Sequence, residues 1–351
     1  MAKTMRAARW HVAGRPLRLE KVAEPKMRAG AVKLRVLATF VSPSMSGFLS
    51  NPSAAYPLPA APFIPGMSVL GVVEESDTAG IAPGARVYCD PYLAPPSEAS
   101  PQVGAFMGYF GFAPEAAALL NDWPDGGFAE KMLAPAACVT PLGPAATADP
   151  AVLARVGHMG TSYEALRRAG FEAGRTVIVT GATGILGVST VMVAAAMGAS
   201  RIAVVGRRPD VLARIAGLWP RRVLAVDNPA KIRDVMPDAD CLIDCASGGD
   251  PKILGAAIGA LKIGGSAVLV GGGGKLSLEY GDLLIREIAV RGSLWFPRWV
   301  PRELFALIGS GCMDVACLKA QRFPLGKANE AMAAASSSKR PPGFEHVALV
   351  P

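Results

Sequence analysis

The sequence predicts an α/β protein in which a β-rich part is joined to a doubly wound parallel sheet. Three observations predict it. Short β-prone runs separated by Pro/Gly turns fill roughly the first 140 residues. Strands and helices alternate after about Leu142, the sequence form of a parallel sheet covered on both faces. One strand-to-helix junction in that second part is a glycine-rich turn, Gly181-Ala182-Thr183-Gly184-Ile185-Leu186-Gly187.

In the β-rich part, Val32–Phe40, Val69–Glu75 and Arg86–Cys89 carry the β-branched and aromatic residues of strands, and Ile64-Pro65-Gly66 and Ala82-Pro83-Gly84 mark turns between them. The Pro-, Ala- and Gly-rich stretch from Pro91 to Gly127 reads as a long surface lobe without metal-ligand spacing. A helical pattern from Asp149 to Ala169 leads into Arg175–Thr180, a run suited to a buried parallel strand. Then follow helix Ile185–Met197, strand Arg201–Val205, helix Pro209–Ala216, strand Val223–Val226, strand Cys241–Cys245, helix Lys252–Leu261 and strand Ser266–Val270. A helix over Pro301–Gly309 and a strand near His346–Val350 close the chain, and no internal repeat is visible.

Composition excludes several classes. The 351 residues suffice for two cores, and a hydrophobic share of 51% against 18% charged marks a globular chain. No apolar run reaches the roughly 18 residues of a membrane span. The charged start, Met1 to Trp10, lacks the apolar stretch of a signal peptide, so a cytoplasmic protein is expected. Six dispersed cysteines without a C-x-x-C pair read as reduced, mostly buried thiols. The net charge of +8 comes from scattered basic residues, denser only between Arg201 and Arg222, with no interleaved aromatics. Nucleic acid is therefore not expected as a main partner.

The glycine turn carries the chemistry. Gly184 and Gly187 stand at the second and third glycines of a G-x-G-x-x-G dinucleotide fingerprint, with Ala182 at the first. The middle glycine lets backbone approach a pyrophosphate, the last lets the helix pack on the strand, and the helix N-terminus offers N–H groups to the phosphates. NAD-binding folds place an Asp or Glu about 20 residues on, to hold the ribose 2′-hydroxyl. Here that position is Gly206, followed by Arg207 and Arg208, whose guanidinium groups suit a 2′-phosphate. NADP(H) is the expected cofactor.

With these features in order, the chain resembles the medium-chain dehydrogenase/reductase family over essentially its whole length. The resemblance is carried by Pro65-Gly66 before Gly71-Val72-Val73-Glu74, by Pro83-Gly84-Ala85-Arg86-Val87, and by Gly126-Gly127-Phe128-Ala129-Glu130. Thr161-Ser162-Tyr163-Glu164-Ala165-Leu166 and Arg291-Gly292-Ser293-Leu294-Trp295 extend it. It implies a GroES-like catalytic domain over residues 1–141 and 296–351, interrupted by a Rossmann cofactor domain over 142–295. In the alcohol-dehydrogenase branch, zinc is held by an early Cys, by a His-Glu after the Pro-Gly turn, and by a later Cys or Asp. Those places here hold Ser42, Met67-Ser68 and Gly157, none of them a good zinc ligand, and His158 beside the last is single. The lobe from Pro91 to Gly127 also lacks the cysteines of a structural zinc site.

The resemblance therefore implies the zinc-free branch of quinone oxidoreductases and alkene or enoyl reductases, although Ser42-Pro43-Ser44 departs from the Asn-Pro common in quinone reductases. Hydride addition to a conjugated carbonyl or a quinone spreads its charge, so a few hydrogen-bond donors replace a Lewis acid. Alternatives are a metal-free alcohol dehydrogenase or carbonyl reductase, and a non-catalytic NADPH-binding protein, RNA being one partner for the latter. Ser44 is the expected donor to the substrate carbonyl and Tyr56 a proton donor at the cleft. Thr161, Cys245, Ala246, Val270, Gly271, Gly272, Leu294 and Trp295 are expected beside the cofactor, Trp295 also at a subunit edge, and His346 near a phosphate. The partners expected are a small carbonyl, enone or quinone and a second copy in a homodimer, not a membrane.

Overall fold

The computed structural model describes residues 3–94, 104–337 and 343–351, so part of the expected surface lobe, residues 95–103, lies outside the described residues. The first sheet has Met67–Ser76 near its centre, paired antiparallel with Ala31–Phe40 on one side and with Arg86–Cys89 on the other. The last strand, Glu345–Val350, pairs with the end of Ala31–Phe40 through Ala348 and Leu349. The chain thus returns to its first sheet after building a second one.

That second sheet is six-stranded and parallel, ordered Val223–Val226, Arg201–Val205, Thr176–Thr180, Ala239–Asp244, Leu261–Leu269, Ala289–Gly292. In chain order this is 3-2-1-4-5-6, the doubly wound arrangement whose direction reverses between the first and fourth strands. Alternate side chains of the first strand serve two cores. Val177 and Val179 pack with helices Val156–Arg168, Ile185–Ala196 and Pro209–Leu218, whereas Ile178 packs with Pro251–Gly259 and its neighbours. Helices on both faces explain why these strands read as apolar runs without alternation.

The expected elements recur with shifted ends. The strand expected at Ser266–Val270 begins at Leu261, because the register shift between Ala239 and Cys241 lets it pair earlier. Helix Pro251–Gly259 starts where the Asp250 carboxylate accepts the Lys252 N–H, the usual role of an N-cap acid. Helices Tyr280–Arg286 and Ala328–Ser336 and strand Lys319–Pro324 lay in stretches without a clear sequence signal.

The turns of the first domain meet at three glycines. A Cβ on Gly126 would stand 1.9 Å from the Gly66 carbonyl oxygen, and one on Gly108 would stand 2.5 Å from the Gly126 Cα. The Gly66 N–H donates to the Gly108 carbonyl and the Gly126 N–H to that of Ile64. Three backbones cross where no side chain fits. Gly126→Ala should therefore lower the free energy of unfolding by about 1–3 kcal/mol, the usual cost of forcing atoms into a packed interior. Urea unfolding of both proteins checks this, and an unchanged midpoint at equal slope would refute the steric account.

Candidate active site

The glycine turn lies where the parallel sheet reverses direction. Gly181 takes a φ of +64°, and a Cβ there would stand 2.6 Å from the Ala246 nitrogen. A Cβ on Gly187 would stand 2.3 Å from the Gly181 oxygen, so only glycine seats the helix Ile185–Ala196 this low on its strand. Gly184 is different: its Cβ would meet only the Gly181 oxygen at 3.4 Å. Gly184 caps the helix without a side chain, leaving first-turn N–H groups and the positive end of the dipole for an anion. Ala182 and Thr183 are buried, and Ile185 and Leu186 are half-buried.

Other strand ends converge on the same crevice. A Cβ on Gly271 would stand 2.0 Å from the Ala246 oxygen, which sets Val270-Gly271-Gly272 beside Cys245-Ala246. The Cys245 thiol itself turns inward to the Thr190 hydroxyl at 3.2 Å, so only its backbone borders the crevice. Gly206 has a packing reason as well, since a Cβ there would lie 2.5 Å from the Thr183 methyl. Arg207 is exposed, and Arg208 donates to the Thr183 carbonyl at 3.1 Å.

One contact had no sequence signal. A Cβ on Gly343 would stand 2.6 Å from the Gly184 oxygen, so the chain crosses the turn on its way to the last strand. His346, two residues into that strand, does not reach a phosphate. It is 1% exposed, meets the Ala151 carbonyl at 2.8 Å and lies beside the Phe40 ring. The strand's alternation turns it into the interior. Arg155, also unforeseen, is fully buried, donates to the Ser189 hydroxyl at 2.9 Å and to the Ile185 carbonyl, and is pushed down to about 9 by burial.

Past the end of strand Ala31–Phe40, three hydroxyls form a chain. The Ser42 and Ser44 oxygens are 2.9 Å apart, and the Ser44 and Tyr109 oxygens 2.8 Å apart. Burial pushes the Tyr109 phenol up to about 12, against its hydrogen bonds to the two serines. Tyr56, the phenol expected from sequence, is 46% exposed and meets only the edges of Phe48 and Phe110 among the described ring contacts. The phenol on Ser44 is Tyr109. Its sequence context, Met107-Gly108-Tyr109, has no periodicity that could have signalled it.

At a second point Ser68, Gly157 and Trp295 meet. A Cβ on Gly157 would stand 2.7 Å from the Ser68 oxygen and 3.0 Å from the Trp295 ring. The Trp295 indole N–H donates to the Asp90 carboxylate at 2.9 Å, and its ring lies on Phe296 and against Phe106. Burial raises Asp90 to about 6, opposed by the Tyr92 N–H and the Trp295 indole. Trp295 thus faces inward, contrary to the subunit-edge expectation, and Leu294 is the exposed one at 58%. Thr161 is buried, its hydroxyl donating to the Gly157 carbonyl at 2.9 Å.

Residues 28–144 match the family described as alcohol dehydrogenase GroES-like domain, and residues 186–309 the family described as zinc-binding dehydrogenase. Human sorbitol dehydrogenase is 31% identical over 181 residues, 49% of this chain and 50% of that protein. The chain spans about half the length of the curated relatives it matches. A protein of Sinorhizobium meliloti 1021 solved bound to NADP, described as a zinc-binding dehydrogenase, superposes with a TM-score of 0.81 at 22% identity, covering 99% of this chain and 100% of that one. The 2R,3R-butanediol dehydrogenase of Bacillus subtilis gives 0.78 at 22% identity over 99% of both chains. At such identities the superpositions establish the fold. Among the described residues no helix is long and apolar enough to cross a membrane.

His346 makes stability depend on pH. Burial depresses it to about 3 from the ordinary 6.5, so between those values the unfolded chain binds a proton that the folded chain refuses. Its stabilisation is complete above about pH 6.5 and is lost as pH falls toward 3, at up to about 1.4 kcal/mol per pH unit. His346→Phe should flatten the acid limb of stability against pH measured by urea unfolding. An unchanged slope would place the acid sensitivity elsewhere.

Proposed function

Because the chain belongs to the medium-chain dehydrogenase/reductase superfamily, we propose that it is a zinc-independent, NADPH-dependent oxidoreductase that reduces a conjugated carbonyl or a quinone. The observation that carries this reading is the Ser68–Gly157–Trp295 contact. By the family resemblance, Ser42, Met67-Ser68 and Gly157 occupy the metal-ligand places, and none offers a thiolate, imidazole or carboxylate. A longer residue at 157 would also run into the Trp295 ring. Zinc does not fit these residues.

The dinucleotide does fit. Gly184, the first turn of helix Ile185–Ala196 and the backbones of Thr183, Ala246, Gly271 and Gly272 would hold its phosphates and nicotinamide side, and Arg207 and Arg208 would face the 2′-phosphate. The reduced nicotinamide supplies a hydride when bound. Ser44 would donate to the carbonyl oxygen on which charge develops, while Trp295 and Phe106 keep that end of the cleft apolar. Without a metal to bear an alkoxide, a substrate that delocalises its own charge is favoured.

A metal-free carbonyl reductase or alcohol dehydrogenase is the second reading, favoured by the sorbitol and butanediol dehydrogenases among the similar proteins. A second copy is the expected partner, because Ala289–Gly292 forms one edge of the parallel sheet and Leu284, Ile285 and Leu294, near it in the chain, are exposed. Open edges with exposed apolar side chains favour pairing.

Two measurements test the reading. A panel of enones, quinones, isolated ketones and alcohols, assayed with chelator present, should show NADPH-dependent reduction fastest on the conjugated substrates. Faster alcohol oxidation, or activity lost with bound zinc, would defeat it. Arg207→Ala should lower kcat/KM for NADPH by about 10- to 100-fold, the worth of a charge-assisted hydrogen bond, and spare NADH. Constant ionic strength is needed, since Arg207 is exposed and screened. Equal losses with both cofactors would make Arg207 ordinary surface charge. Gly206→Asp is the poorer probe, because the new side chain would displace Thr183.

A further inference from the structure

We propose that Tyr109 is a positioning residue of the reaction, orienting the Ser44 hydroxyl so that its hydrogen points into the substrate cleft; this rests on the reading of Ser44 as the carbonyl donor. Tyr109 is 2% exposed, and a buried phenol hydrogen needs an acceptor. Both serine oxygens are within its reach, and the Ser44 oxygen, 2.8 Å away, is the acceptor assigned to it here. The Ser42 oxygen accepts from the Ser44 backbone N–H at 3.4 Å, which leaves the Ser42 hydrogen free to donate to the Ser44 oxygen 2.9 Å away.

A serine oxygen has two acceptor sites and one hydrogen. With Tyr109 and Ser42 both donating, the acceptor sites of Ser44 are filled and its own hydrogen must point elsewhere. Ser44 is the exposed member of the three, so that hydrogen faces the open side. Donation into an oxygen also polarises its O–H, which makes Ser44 a stronger donor to a substrate oxygen gaining negative charge. The raised phenol keeps its proton throughout the neutral range, so the orientation does not depend on pH there.

The aromatic ring has a separate task. It packs edge-on against Phe48 at 5.4 Å and Phe110 at 4.7 Å, contacts that phenylalanine would keep. Tyr109→Phe therefore removes the hydroxyl and leaves the packing. The experiment is a double-mutant cycle of Tyr109→Phe and Ser44→Ala on the substrate that the panel shows to be turned over fastest, with thermal stability followed alongside.

Ser44→Ala should lower kcat by about 100-fold and Tyr109→Phe by about tenfold, each with KM changed less than about threefold. The double variant should be no slower than Ser44→Ala alone, since Tyr109 then has nothing to orient. A readout independent of turnover uses dimethylaminocinnamaldehyde, whose absorption moves to the red when its carbonyl accepts a hydrogen bond. The shift on binding to the cofactor-free protein should be largest for the parent, smaller for Tyr109→Phe and absent for Ser44→Ala.

Tyr109→Phe with unchanged kcat, additive losses in the cycle, or a dye shift equal in the parent and Tyr109→Phe would each overturn the proposal. An unshifted dye in the parent, or Ser44→Ala at full activity, would overturn it by removing Ser44 as the donor. A protein that turns over no member of the panel would instead overturn the proposed function, and this inference with it.

Discussion

Three loops of the first domain pass within backbone contact of one another at Gly66, Gly108 and Gly126, and the candidate site hangs from that crossing. Each loop delivers a group within two residues. Gly66 is followed by Met67 and Ser68, Gly108 by Tyr109, and Gly126 by Gly127, whose carbonyl accepts from the Thr39 hydroxyl at 2.8 Å. Ser68 stands at a φ of +53°, a conformation costly for a residue with a side chain, at the bulge between the Phe40–Met67 and Thr39–Val69 pairs. The positions of Tyr109 and Ser68 are thus both tied through short lengths of backbone to one crossing.

The side of the candidate site at the glycine turn is built by the same device, close approach of backbone to backbone. Gly181 rests on Ala246, Gly271 rests on Ala246 from the other side, and Gly187 rests on Gly181. These contacts draw the ends of three parallel strands and one helix to a common floor. Both halves of the candidate site thus depend on missing side chains, and its polar groups are set by what surrounds those gaps. This arrangement suits a rigid frame carrying a few polar atoms, the condition for preorganised stabilisation of developing charge.

Much of this could be read from sequence, and the reasons are local. The first five strands of the doubly wound sheet were legible because each holds an apolar run between turn residues, and helix Ile185–Ala196 because a glycine-rich turn precedes it. The glycine turn was legible because the residues that need small atoms lie within seven positions of each other. Tyr109, Asp90 and Gly343 were not, since their partners Ser44, Trp295 and Gly184 are distant in the chain. Tyr56 was a reasonable phenol on local grounds, but only the folded chain shows that its hydroxyl is not the one beside Ser44. His346 was misplaced for a similar reason: strand pairing, not proximity to the expected phosphate, decided which way it faced.

The Gly343 crossing gives the molecule a mechanical property. The last strand is hydrogen-bonded into the first sheet, yet Gly343, two residues before it, lies against Thr183 and Gly184 of the second domain. A hinge between two domains is usually free to open on the side away from its linkers. Here a third strand of backbone lies across the cofactor turn, so any opening there must first peel Gly343 from the carbonyls beneath it. The relative placement of the two domains and the shape of the turn are thus coupled through that contact.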